Sequence, residues 1–273
     1  MTTTTISSNG LIVDPALEEE LLRVDKLSTE APRNVLLAGP QGCGKTGTFH
    51  HFVSITNREN WIKMPCGVIV DPDEWYGTTI AKDGSTHIME TEFTKMVQTP
   101  RAAILLDDFG RSLSPKILSG LFGLLDDTAR EQYIPSLQKT IKVADGVVFF
   151  ATYNQSVMSA SYVGQDPLDF AVIDRFRTIS MNYPPLEVER RIGESRGLSS
   201  DDATSLANLF QILRSRGFEF STRQLIQVAE TRKFGASWAD AFKYTCLHSP
   251  SSGSGDRADQ VLQLLQMESG EGL

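Results

Sequence analysis

Apolar residues fall into short unbroken runs over the first two thirds of this chain and into a helical spacing after Pro184. Val35-Leu36-Leu37-Ala38, ending at Gly39, is one such run, and Ala102–Leu106 and Gly146–Ala151 are two more. Short runs of this kind bounded by turn residues predict strands buried on both faces of a parallel sheet. A second strand is expected at Trp61–Met64 or at Val68–Val70, and a fifth at Thr178–Met181, after Ile173-Asp174-Arg175-Phe176-Arg177. Helical stretches lie between them. Asp14 can cap a helix whose first position suits Pro15, and Leu17, Leu21 and Leu22 form its apolar side. Another helix runs from the glycine-rich loop to about Ile55. Strands alternating with helices predict an α/β fold of three layers, αβα.

Residues 186–248 contain no strand run, and Ala203, Leu206, Leu209, Phe210 and Leu213 share one helical face. The chain therefore divides into a flexible N-terminus with a leading helix (1–30), an α/β nucleotide-binding domain (31–184), an all-helical domain (185–248) and a C-terminal tail (249–273). The tail reads as a Ser/Gly linker, Ser249–Gly255, followed by a short amphipathic helix, Ala258–Met267.

Composition changes this picture little. The 273 residues are 40% hydrophobic and 22% charged, as in ordinary globular proteins. A formal net charge of −8 argues against a broad surface for nucleic acid or anionic lipid, leaving only a local basic patch open. Met1–Gly10 is a polar Thr/Ser stretch without a signal layout, and no apolar run reaches the ~18 residues of a membrane span, so a cytoplasmic location is expected. Cys43, Cys66 and Cys246 form no paired motif and read as ordinary thiols; His50, His51, His87 and His248 lack metal-ligand spacing.

The chemistry lies in three segments. Gly39-Pro40-Gln41-Gly42-Cys43-Gly44-Lys45-Thr46 matches the P-loop pattern G-x-x-x-x-G-K-[ST] between a strand and a helix, as the pattern requires. Such a loop binds ATP: its backbone N–H groups wrap the β-phosphate, Lys45 reaches the β and γ phosphates, and Thr46 holds Mg2+. Ile104-Leu105-Leu106-Asp107-Asp108 then delivers two acids to a strand's carboxyl end. There Asp107 suits Mg2+ and Asp108 the attacking water, although Asp108 equally suits a cap for the turn Phe109-Gly110-Arg111. Third, Phe149-Phe150-Ala151-Thr152-Tyr153-Asn154 ends on an amide able to bridge the γ-phosphate and that water, or simply to start a turn.

In this order, followed by Asp174-Arg175-Phe176 and Ser221-Thr222-Arg223, these segments resemble an AAA+ ATPase of the MoxR type, the group of CbbQ/NorQ-like activators and CobS-like chelatase subunits. The resemblance spans roughly residues 30 to 248. Asp71-Pro72-Asp73-Glu74-Trp75-Tyr76-Gly77 with Lys82-Asp83-Gly84 resembles the group's pore-facing insert, and Ala151-Thr152-Tyr153-Asn154 resembles its "ATxN" sensor 1. Asp108-Phe109-Gly110-Arg111 and Leu124-Leu125-Asp126-Asp127 resemble its "DEinRa … LLDE" region. The resemblance implies a P-loop NTPase core with a helical lid, and ATP hydrolysis in an oligomeric, hexameric ring. It also implies a remodelled protein partner, often of the von Willebrand factor A type. Arg175 would be the finger acting on a neighbour's ATP, with Arg177 its rival, and Arg223 would be sensor 2. Asp108 departs from the family's Glu and favours slow hydrolysis. The alternative reading is therefore an ATP-gated switch with slow hydrolysis, or a nucleic-acid-associated oligomer in which hydrolysis only resets the state. Trp75 and Tyr76 suit either substrate contact or local packing, and Lys139 and Lys142, in an expected hairpin, are expected to be solvated.

Overall fold

The computed structural model describes residues 5–6, 12–109, 115–154 and 170–247. The expected tail linker and helix, His248, and the Gly110-Arg111 end of the turn after Asp108 lie outside them, as does most of the N-terminal stretch. A short antiparallel pair, β1 (Thr5–Ile6) and β2 (Ile12–Val13), precedes helix α1 (Pro15–Ser28). Strand β3 (Arg33–Gly39) leads through the glycine-rich loop into α2 (Lys45–Ile55), and β4 (Trp61–Pro65) follows. Hairpin β5 (Gly77–Lys82) and β6 (Ser85–Glu90), α3 (Glu92–Val97) and β7 (Ala103–Asp107) come next. Then come α4 (Pro115–Ser119), α5 (Phe122–Leu125), hairpin β8 (Glu131–Ile134) and β9 (Lys139–Lys142), and β10 (Val148–Asn154). Helix α6 (Phe170–Ile173) and β11 (Arg177–Ser180) close the α/β part; α7 (Leu186–Ser195), α8 (Ser200–Ser215), α9 (Thr222–Lys233) and α10 (Trp238–Phe242) are the helical part.

The chain forms two compact units. Of the described residues, the first holds those of 14–39 and 45–181; the second holds 5–6, 12–13, 182–247 and the loop residues Pro40–Gly44.

The first unit is built on a five-stranded sheet, order β11-β3-β10-β7-β4, all parallel. Side chains alternate across it: Val35, Leu37, Ala103, Leu105, Val148 and Phe150 meet Leu21, Val24, Phe49 and Phe52 on one face. Leu36, Ile104, Leu106, Phe149 and Ala151 meet Trp75, Phe93 and Phe109 on the other. Burial on both faces is why these strands read as continuous apolar runs. Register aligns the strand ends, with Asn154 opposite Gly39 and Pro65 opposite Asp107, and so gathers polar residues at the carboxyl edge.

Of the two places for the second strand, Trp61–Pro65 takes it; Val68 ends a 3-10 turn, and both it and Val70 are exposed. The segment around Asp83-Gly84 is a hairpin whose turn residues both have positive φ, 52° and 74°, matching the twist of the strands it joins. Trp75 and Tyr76 are buried, the packing alternative, with the Tyr76 hydroxyl donating to the Gly120 carbonyl. Lys139 and Lys142 are exposed, as expected, and form surface ion pairs with Glu90 at 2.8 Å and Glu131 at 2.9 Å.

Arg58 staples this unit together. Its fully buried guanidinium holds Asp25 at 2.7 Å, the Ser28 hydroxyl at 3.0 Å, and the carbonyls of Arg101, Ala102 and Gly146. It thereby ties α1 to the starts of β7 and β10.

The second unit has its own core, including Val188, Leu206, Phe210, Leu213, Leu225, Val228 and Phe242. Ser199 caps α8, and Ser221 with Gln224 forms a capping box on α9. Glu189, fully buried on α7, receives both Arg214 amino groups at 2.8 Å and the Thr222 hydroxyl at 2.9 Å.

Candidate functional site

At the carboxyl edge of the sheet, Asp107 and Asp108 leave β7 into a tight turn. Asp108 takes φ 54°, a left-handed conformation that Asp tolerates better than longer acids. The turn is secured from β10, the neighbouring strand. The Thr152 hydroxyl donates to Asp107 Oδ1 at 2.8 Å and accepts the Asp108 N–H at 2.9 Å, while the Thr152 carbonyl accepts the Phe109 N–H at 2.8 Å. One residue, 2% exposed, thus fixes both acids. Two positions on, the Asn154 amide donates to Asp108 Oδ1 at 3.3 Å.

Helix α2 supplies the next partners. Thr46 donates its hydroxyl to Asp107 Oδ1 at 3.1 Å, and the buried Lys45 ammonium reaches back to the Gly39 carbonyl at 2.9 Å. From β4, Lys63 forms an ion pair with Asp107 Oδ2 at 2.7 Å. Burial alone pushes the Asp107 carboxyl up, but hydrogen bonds from Lys63, Thr152 and Thr46, with the Lys63 charge, hold it below its ordinary value. The Cys66 thiol is pushed well up by burial and then by the charges of Asp107 and Asp108, so it stays protonated.

The loop itself belongs with the second unit. Gly42 has φ 72° and Gly44 φ 105°, conformations that glycine adopts without the strain a side chain would bring. A Cβ on Gly42 would stand 2.6 Å from Ser221 Cβ and 3.6 Å from Arg223 Cβ, so this loop lies against the start of α9. Tyr183 donates its hydroxyl to the Gln41 carbonyl at 3.3 Å, and Cys43 is buried. Arg223 itself is exposed. Pro40 continues directly from the Gly39 end of β3.

The two rival arginines differ. Arg177 forms a surface ion pair with Glu20 at 2.7 Å, its own side chain 53% exposed. Arg175, in the turn between α6 and β11, lays its guanidinium over the Phe122 ring at 4.7 Å and donates to the Ala171 carbonyl. Its buried Nε has no hydrogen-bond partner among the described residues. Its backbone is anchored by Asn34, whose amide donates to the carbonyls of Arg175 at 3.0 Å and Leu125 at 2.9 Å.

The structure thus brings Thr46, Asp107, Asp108 and Asn154 into one hydrogen-bonded cluster, with Lys45 at the start of the same helix as Thr46. It places Arg175 elsewhere in the first unit and Arg223 in the second. Residue pattern did not single out Thr152, Lys63 or Asn34. Thr152 stands inside the sensor-like motif, and an Asn in an otherwise apolar strand was a readable signal; Lys63 carried none.

The donor set fits a magnesium nucleotide. A hard-oxygen pair, Thr46 and Asp107, is already in contact. Among the described residues there is no cluster of three or more His, Cys, Asp or Glu able to hold a metal, and no helix long and apolar enough to cross a membrane.

Comparison with known proteins agrees with this architecture. The sequence profile of the AAA domain (dynein-related subfamily) matches residues 34–176. The chain is 32% identical over 225 residues to "Putative chaperone BssE" of Thauera aromatica, covering 81% of this chain and 77% of that one. It is 25% identical over 173 residues to an uncharacterized Staphylococcus aureus protein, covering 62% and 63%. Among solved structures, the RuvB Holliday junction branch migration motor of Thermotoga maritima superposes with a TM-score of 0.55 at 14% identity, over 98% of this chain and 75% of that one. That likeness is one of fold, a P-loop NTPase sheet with a helical C-terminal region. With half of its length under the family profile and a relative of this identity across most of both chains, the protein belongs to the AAA domain family, in its dynein-related subfamily.

Proposed function

We propose that this protein hydrolyses ATP with Mg2+ as an oligomeric, hexameric ring of the MoxR type, which remodels or activates a partner protein. The observation that carries the reading is the hydrogen-bonded cluster Thr46, Asp107, Thr152, Asp108 and Asn154 at the carboxyl edge of adjacent parallel strands. Thr46 and Asp107 are the residues that would hold Mg2+. When bound, that ion neutralises charge on the phosphates. The chain's own residues do the rest. Glycine-loop N–H groups from Gly39 to Gly44 hold the phosphates, and Lys45 adds a positive charge there. Asp108 accepts a proton from, or orients, the attacking water, and Asn154 keeps its carboxylate aligned.

Arg175 is the arginine given to a neighbour's site. Its support is the buried Arg175 Nε, which has no partner among the described residues although Nη1 donates to the Ala171 carbonyl, whereas Arg177 has a surface ion pair with Glu20. Arg223 serves as the lid arginine beside the loop. In this reading residues 31–184 and 185–248 act as core and lid. The named chaperone relative supports a protein partner, and a von Willebrand factor A-type protein is the kind the resembled group uses.

A second reading, an ATP-gated switch with slow turnover, is favoured by the short acid Asp108 in its left-handed turn.

Phosphate release measured against protein concentration tests the main reading. Specific activity should rise with concentration; Arg175→Ala should bind a fluorescent ATP analogue yet lose hydrolysis, and Lys45→Ala should lose binding. Normal hydrolysis by Arg175→Ala would remove the trans role.

A further inference from the structure

Lys63 is the third residue of β4, the edge strand beside β7, and faces Leu105 in register. A lysine on an edge strand is in itself ordinary, since its charge discourages pairing with other chains. Its ammonium nevertheless sits 2.7 Å from Asp107 Oδ2, while Oδ1 accepts the hydroxyls of Thr46 at 3.1 Å and Thr152 at 2.8 Å. Both oxygens of the acid are therefore engaged by the chain itself. The two kinds of partner differ in how readily they can leave. Thr152 is 2% exposed on a central strand, and Thr46 belongs to α2. The Lys63 side chain is 41% exposed on a flexible stem, so its ammonium can exchange the carboxylate for water at little cost.

We infer that Lys63 is an internal counter-ion that competes with divalent metal for Asp107, and so sets the metal concentration at which the nucleotide site assembles. This rests on Thr46 and Asp107 being the metal-holding pair. Two physical consequences support it. A divalent cation arriving beside a carboxylate already paired with an ammonium meets like-charge repulsion, and it gains full access only when that ammonium withdraws. Without metal, the same ammonium compensates a carboxylate that is only 16% exposed and adjacent in sequence to a second acid, which keeps the strand end formed. Lys63 thereby trades metal affinity for a site that is ordered before its ligands arrive.

The test uses the full chain and a fluorescent ATP analogue titrated with Mg2+ at fixed nucleotide, reading binding and not turnover. Lys63→Met should lower the half-saturating Mg2+ concentration by about two- to fivefold, the range of a partly exposed ion pair. Lys63→Arg, which keeps the charge, should stay near wild type. Binding in EDTA should not strengthen in either variant, because the competition is for the metal. An unchanged Mg2+ midpoint in Lys63→Met, even with a lowered melting temperature, would mark a purely structural ion pair and overturn the inference. Should Lys63→Met fail to fold by circular dichroism, Lys63→Gln carries the same expectation. Wild-type protein that binds no analogue at any Mg2+ concentration would instead overturn the nucleotide reading itself, so the two failures are distinguishable.

Discussion

Replacing Thr152 with valine deletes one hydroxyl and keeps the β-branched shape that suits a strand, so it isolates the bonds holding both acids. Two interactions go. Donation to the Asp107 carboxylate, at 2.8 Å, is a hydrogen bond to a charged group, worth about 1.5–3 kcal/mol. The Asp108 N–H, at 2.9 Å, loses its acceptor, which costs about 1–3 kcal/mol when fully buried and less here because water reaches a half-buried residue. Against these stands the gain from burying a methyl in place of a hydroxyl, about 1 kcal/mol. The expected net destabilisation is about 2–3 kcal/mol. Urea unfolding measures it in a Trp238→Phe background, which leaves Trp61 and Trp75, both in the α/β unit, as fluorescent reporters. The midpoint should fall with an unchanged slope. In an Asp107→Asn background the same substitution should cost about 1 kcal/mol less, since the charged acceptor is gone. A Thr152→Val change under about 0.5 kcal/mol would refute the argument that this hydroxyl organises the acids.

Arg58→Met should be severe, because Asp25 loses a charge partner at 2.7 Å and three backbone carbonyls lose their donor; about 3–5 kcal/mol is expected by the same urea assay. In the helical unit, Glu189→Gln leaves the Arg214 guanidinium, 12% exposed, without its counter-charge. It should cost about 2–4 kcal/mol, read as earlier unfolding of Trp238 fluorescence with Trp61 and Trp75 replaced by Phe. An unchanged transition in either case would mean that the network contributes no net stability.

How much of this was legible in the residues differs by element. β3, β7 and β10 were readable because a strand buried on both faces must be apolar throughout, and the glycine loop because its pattern is local in sequence. β4 was ambiguous, since an edge strand buries only part of itself and Trp61–Pro65 alternates between exposed and half-buried positions. The β5–β6 hairpin carried a local Asp-Gly turn signal, whose positive φ values fit the turn it forms. Trp75 and Tyr76 suited substrate contact and local packing equally, and only the fold decides for packing, against Phe93.

Residue identity and local spacing were enough to establish which groups can do chemistry here: a loop that can cradle phosphate, two acids, an amide and candidate arginines. Those patterns are short-range, and chain order carries them. Only the tertiary structure decided which groups meet. Thr152 joins both acids because β10 lies beside β7 in this strand order, and Lys63 reaches Asp107 because β4 takes the outer edge. Arg177 is drawn to Glu20 while Arg175 settles on Phe122. Such contacts depend on register and on the direction each side chain leaves its strand, and neither is encoded at any single position of the chain.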